Sequence, residues 1–181
     1  TNGYMTTEAL DMISPYLDAA HVDLKAFSDD FYKKTCKARL DPVLESLRKM
    51  KQLGIFLEVT TLVIPGLNDD PGELKEMTKF IAGELGDETP WHVSRFHPTY
   101  KLLDCPSTPV DTLLKARDIG FDAGLKYVYT GNIPGNGTEN TRCYQCGADV
   151  IRRYGFSISE NRIKDGKCPD CGAVIHGVEL S

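Results

Sequence analysis

The sequence lacks any apolar run close to the roughly 20 residues of a membrane-spanning helix. Its first residues show neither the basic region nor the apolar stretch of a secretory signal. It also lacks excess positive charge, since 21 Lys and Arg stand against 26 Asp and Glu, for a formal net charge of −5. A mildly acidic chain has no electrostatic attraction to nucleic acid or anionic lipid. The sequence therefore predicts a cytoplasmic protein with no membrane partner.

What is present is typical of a globular protein. The 181 residues are 41% hydrophobic and 26% charged, which is enough apolar material to bury a core. This length corresponds to one full domain, or to one domain with a small appendage. The chain starts with Thr1, and the segment Thr1-Asn2-Gly3-Tyr4 is typical of the end of a structural element. We therefore expect further sequence upstream.

Strand-like and helix-like segments alternate up to about residue 133. Apolar spacing predicts four helices, at about 6–17, 41–53, 71–85 and 108–123. Thr6 or Thr7 can cap the first, and Pro71 lies in the first turn of the third. Between these helices lie predicted strands at 21–27, 55–64, 91–97 and 126–130, of which 55–64 is apolar enough to be covered on both faces. Helices between strands imply parallel βαβ units. Four strands predict half of a barrel or a small open sheet.

The composition changes at Gly131, where glycine, asparagine and proline form a polar linker up to Asn140. Short strand-like runs and paired cysteines follow. The sequence thus predicts two domains, an α/β domain over 1–133 and a linker with a small metal-binding domain over 134–181.

Two C-x2-C pairs characterise the second domain: Cys143 with Cys146, and Cys168 with Cys171. The two-residue gap lets both thiolates of a pair reach one tetrahedral ion, and the glycine after each pair permits a tight turn. We predict a closed, structural four-thiolate site, with zinc the first choice and a rubredoxin-like iron the second. Disulfides and a redox C-x2-C motif are disfavoured, because neither accounts for the doubled pair in this setting. From Thr138 onward six basic residues are balanced by six acidic ones, which disfavours nucleic-acid binding.

Polar side chains also interrupt the predicted strands. Asp23 and Lys25 are two residues apart and so share a face, either as a simple buried ion pair or as ligand-binding groups. His97 follows the third predicted strand, where ligands bind in parallel α/β folds, although a lone histidine is more often structural. Glu58 and Thr60 make one face of the second strand partly polar.

Several segments, in this order and spacing, resemble the second half of the radical S-adenosylmethionine (SAM) enzymes of the pyruvate formate-lyase activating type. They are Thr1-Asn2-Gly3-Tyr4, Val22-Asp23-Leu24-Lys25, Val63-Ile64-Pro65-Gly66-Leu67-Asn68-Asp69-Asp70 and Phe96-His97-Pro98. The continuation Tyr129-Thr130-Gly131-Asn132-Ile133-Pro134-Gly135 into the cysteine-paired tail resembles the AmmeMemoRadiSam system branch in particular.

The resemblance implies the C-terminal half of a partial (β/α)6 TIM-type barrel. In this family a [4Fe-4S] cluster on a C-x3-C-x2-C loop cleaves SAM reductively to a 5′-deoxyadenosyl radical. The resemblance further implies that Asp23, Lys25 and His97 line the SAM site, that Leu62 packs near the adenosine, and that Asn2 lies near the methionyl end. The radical would abstract hydrogen from a glycine of a partner enzyme or from another substrate.

The sequence departs from the family pattern in one respect, because it contains no C-x3-C-x2-C. The isolated residues Cys36 and Cys105 cannot replace that motif, so we expect the cluster loop to lie upstream of Thr1 and the 181 residues alone to be inactive. Two alternatives stay open: a non-enzymatic metal-ribbon module that binds a protein, and a radical SAM enzyme that modifies nucleic acid.

Overall fold

Four parallel strands, separated along the chain by helices, form the larger sheet of this computed structural model, which describes residues 1–133, 135, 137–155 and 157–180. The strand order is that of the sequence. The strands are β1 (Ala19–Asp23), β2 (Phe56–Val63), β3 (Trp91–Arg95) and β4 (Val128–Gly131). The predicted half-barrel of parallel strands is thus confirmed.

The described residues form five α-helices, of which the first precedes β1 and the others lie between strands. They are α1 (Thr7–Ile13), α2 (Asp29–Phe31), α3 (Leu40–Gln52), α4 (Pro71–Phe80) and α5 (Val110–Asp122). A 3-10 turn, Ser14–Tyr16, follows α1, and π-helical turns, Tyr32–Cys36 and Ile81–Leu85, extend α2 and α4. The Thr6 side chain accepts a hydrogen bond from the Ala9 N–H, and Pro71 occupies the first turn of α4, as predicted.

The helical segment from Asp29 to Cys36 was not predicted. Its start is nevertheless marked in the sequence, because the Ser28 side chain accepts a hydrogen bond from the Phe31 N–H and two acidic residues follow in the first turn. The segment ends at Lys37, whose φ of 55° is left-handed. Its apolar periodicity covers fewer than two turns, which is too short to predict a helix.

Only one face of the larger sheet is packed against helices. Along β2, Leu57, Val59, Thr61 and Val63 are buried, while the alternate residues remain accessible, so the prediction that this strand is covered on both faces was wrong. Trp91 is fully buried on the packed side, where its indole N–H donates to Thr61 Oγ1 at 3.0 Å. The opposite side, which we call the open face, carries polar residues.

The tail forms a separate antiparallel sheet of β5 (Thr141–Arg142), β6 (Asp149–Tyr154) and β7 (Ser157–Asn161). Its core is a small cluster that contains two of the cysteines together with Val150, Ile163 and Ile175. The predicted domain boundary and part of the linker fall on Pro134 and Asn136, which lie outside the described residues, so the boundary stays a prediction. Among the residues that the structure describes, none of the helices combines the length and the apolarity needed to cross a membrane.

Candidate functional site

Asp23 and Lys25 lie at the carboxyl end of β1. The strand ends at Asp23, so Lys25 lies beyond it. The sequence had predicted Lys25 to be within the strand. The Lys25 ammonium lies 3.0 Å from Asp23 Oδ2, and the two side chains are 41% and 44% exposed. The interpretation of a costly buried pair is therefore wrong, because exposed pairs contribute little to stability. Both charges are accessible to a ligand.

The first residues run beside β1. The Thr1 nitrogen donates to the His21 carbonyl at 2.8 Å, and the Asp23 N–H donates to the Thr1 carbonyl at 2.9 Å. This pattern is that of a neighbouring strand, and it brings the exposed Asn2 to the same edge as Asp23. The Asn2 side chain accepts a hydrogen bond from the Tyr4 N–H at 3.0 Å.

Leu62 is exposed on the open face near the end of β2, and a buried asparagine links its backbone to that of Lys25. The Asn68 amide donates to the carbonyls of Lys25 at 2.6 Å and Leu62 at 3.0 Å. Its side-chain oxygen accepts from the Ile64 N–H at 2.6 Å. Asn68 therefore fixes the separation of two predicted SAM-lining segments. Sequence reasoning included it only in a family pattern, and no local signal indicates its long-range bond.

His97 is exposed two residues after β3, with its Nδ1 atom 3.4 Å from the Ser107 hydroxyl. Its segment is anchored by the buried Thr108, whose hydroxyl donates to the Val63 carbonyl at 2.6 Å and accepts from the Phe96 N–H at 3.0 Å. Within the described part of the chain, no hydrogen bond or ion pair joins His97 to Asp23 or Lys25. What these residues share is their position at the edge formed by the carboxyl ends of the strands.

A second polar cluster lies on the open face, nearer the middle of the strands. His92 Nε2 is 3.1 Å and His21 Nδ1 is 3.6 Å from the same oxygen, Glu58 Oε2. The neighbouring side chains of His21 and His92 hold the pKa of Glu58 well below its usual range, against the effect of burial. The His92 ring also stacks on Tyr129 at a centroid distance of 4.9 Å. Sequence reasoning noted Glu58 but missed both histidines, although their period-two positions already indicated the face.

In the tail, Cys143, Cys146, Cys168 and Cys171 come together, as the doubled spacing predicts. One sulfur from each lies within 4.8 Å of the others. The Sγ–Sγ distances of 3.5 Å for Cys143–Cys171 and 3.7 Å for Cys146–Cys168 are far longer than a disulfide bond of about 2.05 Å. They agree with a separation of about 3.8 Å for thiolates bound tetrahedrally at about 2.3 Å from zinc. The arrangement fits one tetrahedral ion.

The two cysteine pairs have the same backbone geometry. Gly147 and Gly172 both adopt φ 76°, and their N–H groups donate to the carbonyls of Cys143 and Cys168 at 2.8 and 2.9 Å. The positive φ explains the glycine after each pair. Burial alone would raise the pKa of the Cys168 thiol, but hydrogen bonds from backbone N–H groups and neighbouring thiols lower it to about 7. At Cys171 a backbone N–H lowers the pKa, but burial and hydrogen bonds with the neighbouring thiols raise it to about 12. The protein environment alone therefore favours the thiolate at Cys168 and the thiol at Cys171.

The tail packs against β4 and the segment before it. The Tyr127 hydroxyl accepts a hydrogen bond from the His176 backbone N–H at 3.2 Å and lies 3.0 Å from His176 Nδ1. The Tyr129 hydroxyl lies 3.1 Å from Thr141 Oγ1. Burial raises the pKa of Tyr127 to about 12. The tail thereby covers part of the open face and leaves cavities of about 430 and 580 Å³ beside it.

Comparison with known proteins shows what the chain resembles. Residues 1–81 match the family model described as the radical SAM superfamily. The chain is 48% identical over 177 residues to the uncharacterized protein MJ0808 of Methanocaldococcus jannaschii, covering 97% of this chain and 52% of that protein. It is 31% identical over 85 residues to the (2S)-3-sulfopropanediol dehydratase activating enzyme of Klebsiella oxytoca, covering 46% of this chain and 26% of that enzyme. The chain spans about half the length of MJ0808, and its alignment with the second relative is shorter still.

Solved structures resemble the fold. A domain of the pyruvate-formate lyase-activating enzyme from Bacteroides vulgatus gives a TM-score of 0.62 at 17% identity, covering 70% of this chain and 75% of that chain. A radical SAM methyltransferase from Sphaerobacter thermophilus gives a TM-score of 0.56 at 16% identity, covering 77% of this chain and 41% of that chain. At these identities the likeness concerns the fold alone. It confirms the predicted partial barrel, while the AmmeMemoRadiSam branch stays a prediction.

Proposed function

We propose that this chain is the C-terminal portion of a radical SAM oxidoreductase of the glycyl-radical-activating type. The complete enzyme would transfer one electron to SAM, break its sulfur–C5′ bond to give methionine and a 5′-deoxyadenosyl radical, and abstract a hydrogen atom from a substrate. One observation carries the proposal: the segment that matches the superfamily also contributes Asn2, Asp23, Lys25 and Leu62 to one edge of the sheet.

The residues at this edge suit the parts of SAM. The accessible Asp23–Lys25 pair offers an acceptor and a donor for polar groups of the ligand, and using it breaks no buried contact. Leu62 offers exposed apolar surface to the adenine. Asn2 and the anchored His97 segment are the remaining groups we assign to this ligand. Such convergence beyond the carboxyl ends of parallel strands is where α/β folds bind ligands.

The [4Fe-4S] cluster would be held by protein outside these 181 residues, because no C-x3-C-x2-C occurs within them. Cys36 is a poor substitute, since burial raises its thiol pKa whereas cluster ligation requires a thiolate. The four tail cysteines are already gathered around one point. When bound, the cluster supplies the electron for SAM cleavage.

We further propose that the tail site holds zinc, or iron as the second choice, in a structural role. The tail core is small, so the ion would supply much of the folding free energy of this domain. The name of the K. oxytoca relative, an activating enzyme of a dehydratase, supports a protein as the hydrogen donor.

The test uses the complete protein that contains these residues, reconstituted anaerobically with iron and sulfide and then reduced. We expect 5′-deoxyadenosine from the complete protein and none from the 181 residues alone. Asp23→Ala and His97→Ala should weaken SAM binding at least about tenfold, the equivalent of about 1.4 kcal/mol. Asp18→Ala, an exposed carboxylate before β1, is the matched control and should bind normally. Product formed by the fragment, or normal SAM affinity of Asp23→Ala, would contradict the proposal.

A further inference from the structure

His21, Glu58 and His92 form a compact group on the open face and share no side chain with the Asp23–Lys25 pair. One ligand atom from each of the three lies within 4.8 Å of the other two. They come from three adjacent strands, and the register pairs His21 directly with Glu58. Ligands on neighbouring strands are held at fixed separation by the backbone ladder, which favours a preorganised site.

The distances suit a metal ion. Ligand bonds of about 2.0–2.1 Å in tetrahedral geometry place the donor atoms about 3.3 Å apart. The observed separations from Glu58 Oε2, 3.1 Å to His92 Nε2 and 3.6 Å to His21 Nδ1, lie on either side of that value. Two imidazoles and one carboxylate are a common ligand set for zinc and for non-haem iron.

The second nitrogen of His21 supplies an independent indication. His21 Nε2 is hydrogen-bonded to the Thr60 hydroxyl. This bond occupies Nε2 and leaves Nδ1, which faces the carboxylate oxygen of Glu58 at 3.6 Å, as the nitrogen available to a metal ion. Metal-binding histidines ordinarily make such an outer hydrogen bond through the nitrogen that does not bind the metal.

The group is also accessible. Its three side chains are partly exposed, and Glu58 and His92 line the 580 Å³ cavity together with Ser94, Asn132 and Arg153. An ion there would have three protein ligands and at least one coordination position open to water or to an oxygen atom of a bound molecule. A closed structural site, such as that of the tail cysteines, offers no such position.

We propose that His21, Glu58 and His92 bind one divalent first-row transition-metal ion, such as Zn²⁺, Fe²⁺ or Co²⁺, at a site separate from the four-cysteine cluster. Its ligands are all within this chain and differ from the residues assigned to SAM, so metal binding can be tested without SAM cleavage.

The test is equilibrium dialysis of the chain against Co²⁺ after the tail has been loaded with one equivalent of zinc. We expect the wild type to bind one Co²⁺ in addition to the zinc, with ligand-field absorption and without the thiolate charge-transfer band that replacement of the tail zinc would produce. Glu58→Gln and His92→Asn should lower the Co²⁺ affinity at least about tenfold, and Thr60→Val should lower it about tenfold through loss of the outer hydrogen bond. Glu76→Gln, at an exposed carboxylate on α4, is the matched control for Glu58→Gln and should leave the affinity unchanged.

A measurement on the wild type keeps the test valid if a variant fails to fold. Substoichiometric Co²⁺ should shift or broaden the imidazole C–H resonances of His21 and His92 before those of His97. Absence of a second metal equivalent at millimolar Co²⁺ would overturn the proposal. So would undiminished affinity in folded Glu58→Gln, or resonances of His21 and His92 that are unaffected.

Discussion

The replacement of Asn68 by alanine tests the link between the ends of β1 and β2. The Asn68 side chain is 1% exposed and bonds three backbone groups, those of Ile64, Lys25 and Leu62. Alanine cannot replace any of these bonds. We therefore expect both a loss of stability and a loosening of the edge at which SAM is proposed to bind.

The magnitude follows from the groups left without a partner. The Ile64 N–H and the Lys25 carbonyl lose the bond that Asn68 provides, and each such group costs about 1–3 kcal/mol when buried. Because the Lys25 carbonyl is only partly buried, water can replace some of the loss, and we expect a total of about 2–4 kcal/mol. This is a large share of the roughly 5–15 kcal/mol by which domains are stable.

The assay is urea unfolding of the zinc-loaded chain, followed by tryptophan fluorescence. The sequence has one tryptophan, Trp91, which is fully buried in β3, so the signal reports the larger sheet and not the tail. Asp69→Ala is the matched control, because Asp69 accepts a solvent-exposed hydrogen bond from the Gly66 N–H in the same turn. We expect the control to cost less than about 1 kcal/mol. If Asn68→Ala is no less stable than Asp69→Ala, the structural role assigned to Asn68 is refuted.

Three further outcomes are expected. Tyr127→Phe should leave the His176 N–H without its acceptor and weaken the packing of the tail against the larger sheet by about 1–3 kcal/mol. The measurement is hydrogen exchange of the tail amides, which should become faster. Lys25→Met should change the free energy of unfolding by less than about 1 kcal/mol, because its pair with Asp23 is about two-fifths exposed; a larger loss in a urea titration would show that the pair is structural. Chelation of the tail metal should unfold the tail while Trp91 fluorescence and the helical circular dichroism stay nearly unchanged. The four-thiolate site would be contradicted if elemental analysis found neither zinc nor iron and all four thiols could be titrated.

The features that the sequence predicted well are those set by local spacing. Apolar periodicity located α3 and α5, the Thr6 cap and Pro71 marked helix starts, and two C-x2-C pairs were enough to predict the thiolate cluster. Each depends on residues a few positions apart, where helix geometry or metal-ligand geometry restricts the chain directly. The strand ends were less accurate, because backbone pairing ends at Asp23 although the apolar sequence continues through Leu24 and Ala26.

The open face could not be predicted in the same way, because its groups are distant in sequence. Period-two alternation indicates that His21, Glu58 and His92 each point away from the packed side, but it does not say which residue of one strand lies opposite which residue of the next. The structure gives that register and pairs His21 with Glu58, and Thr60 with His92. His21 and Asp23 are two residues apart on β1, so their side chains are neighbours on the open face. A metal ion on the histidines and a SAM molecule at the strand ends would therefore occupy neighbouring positions on one surface, held by different side chains.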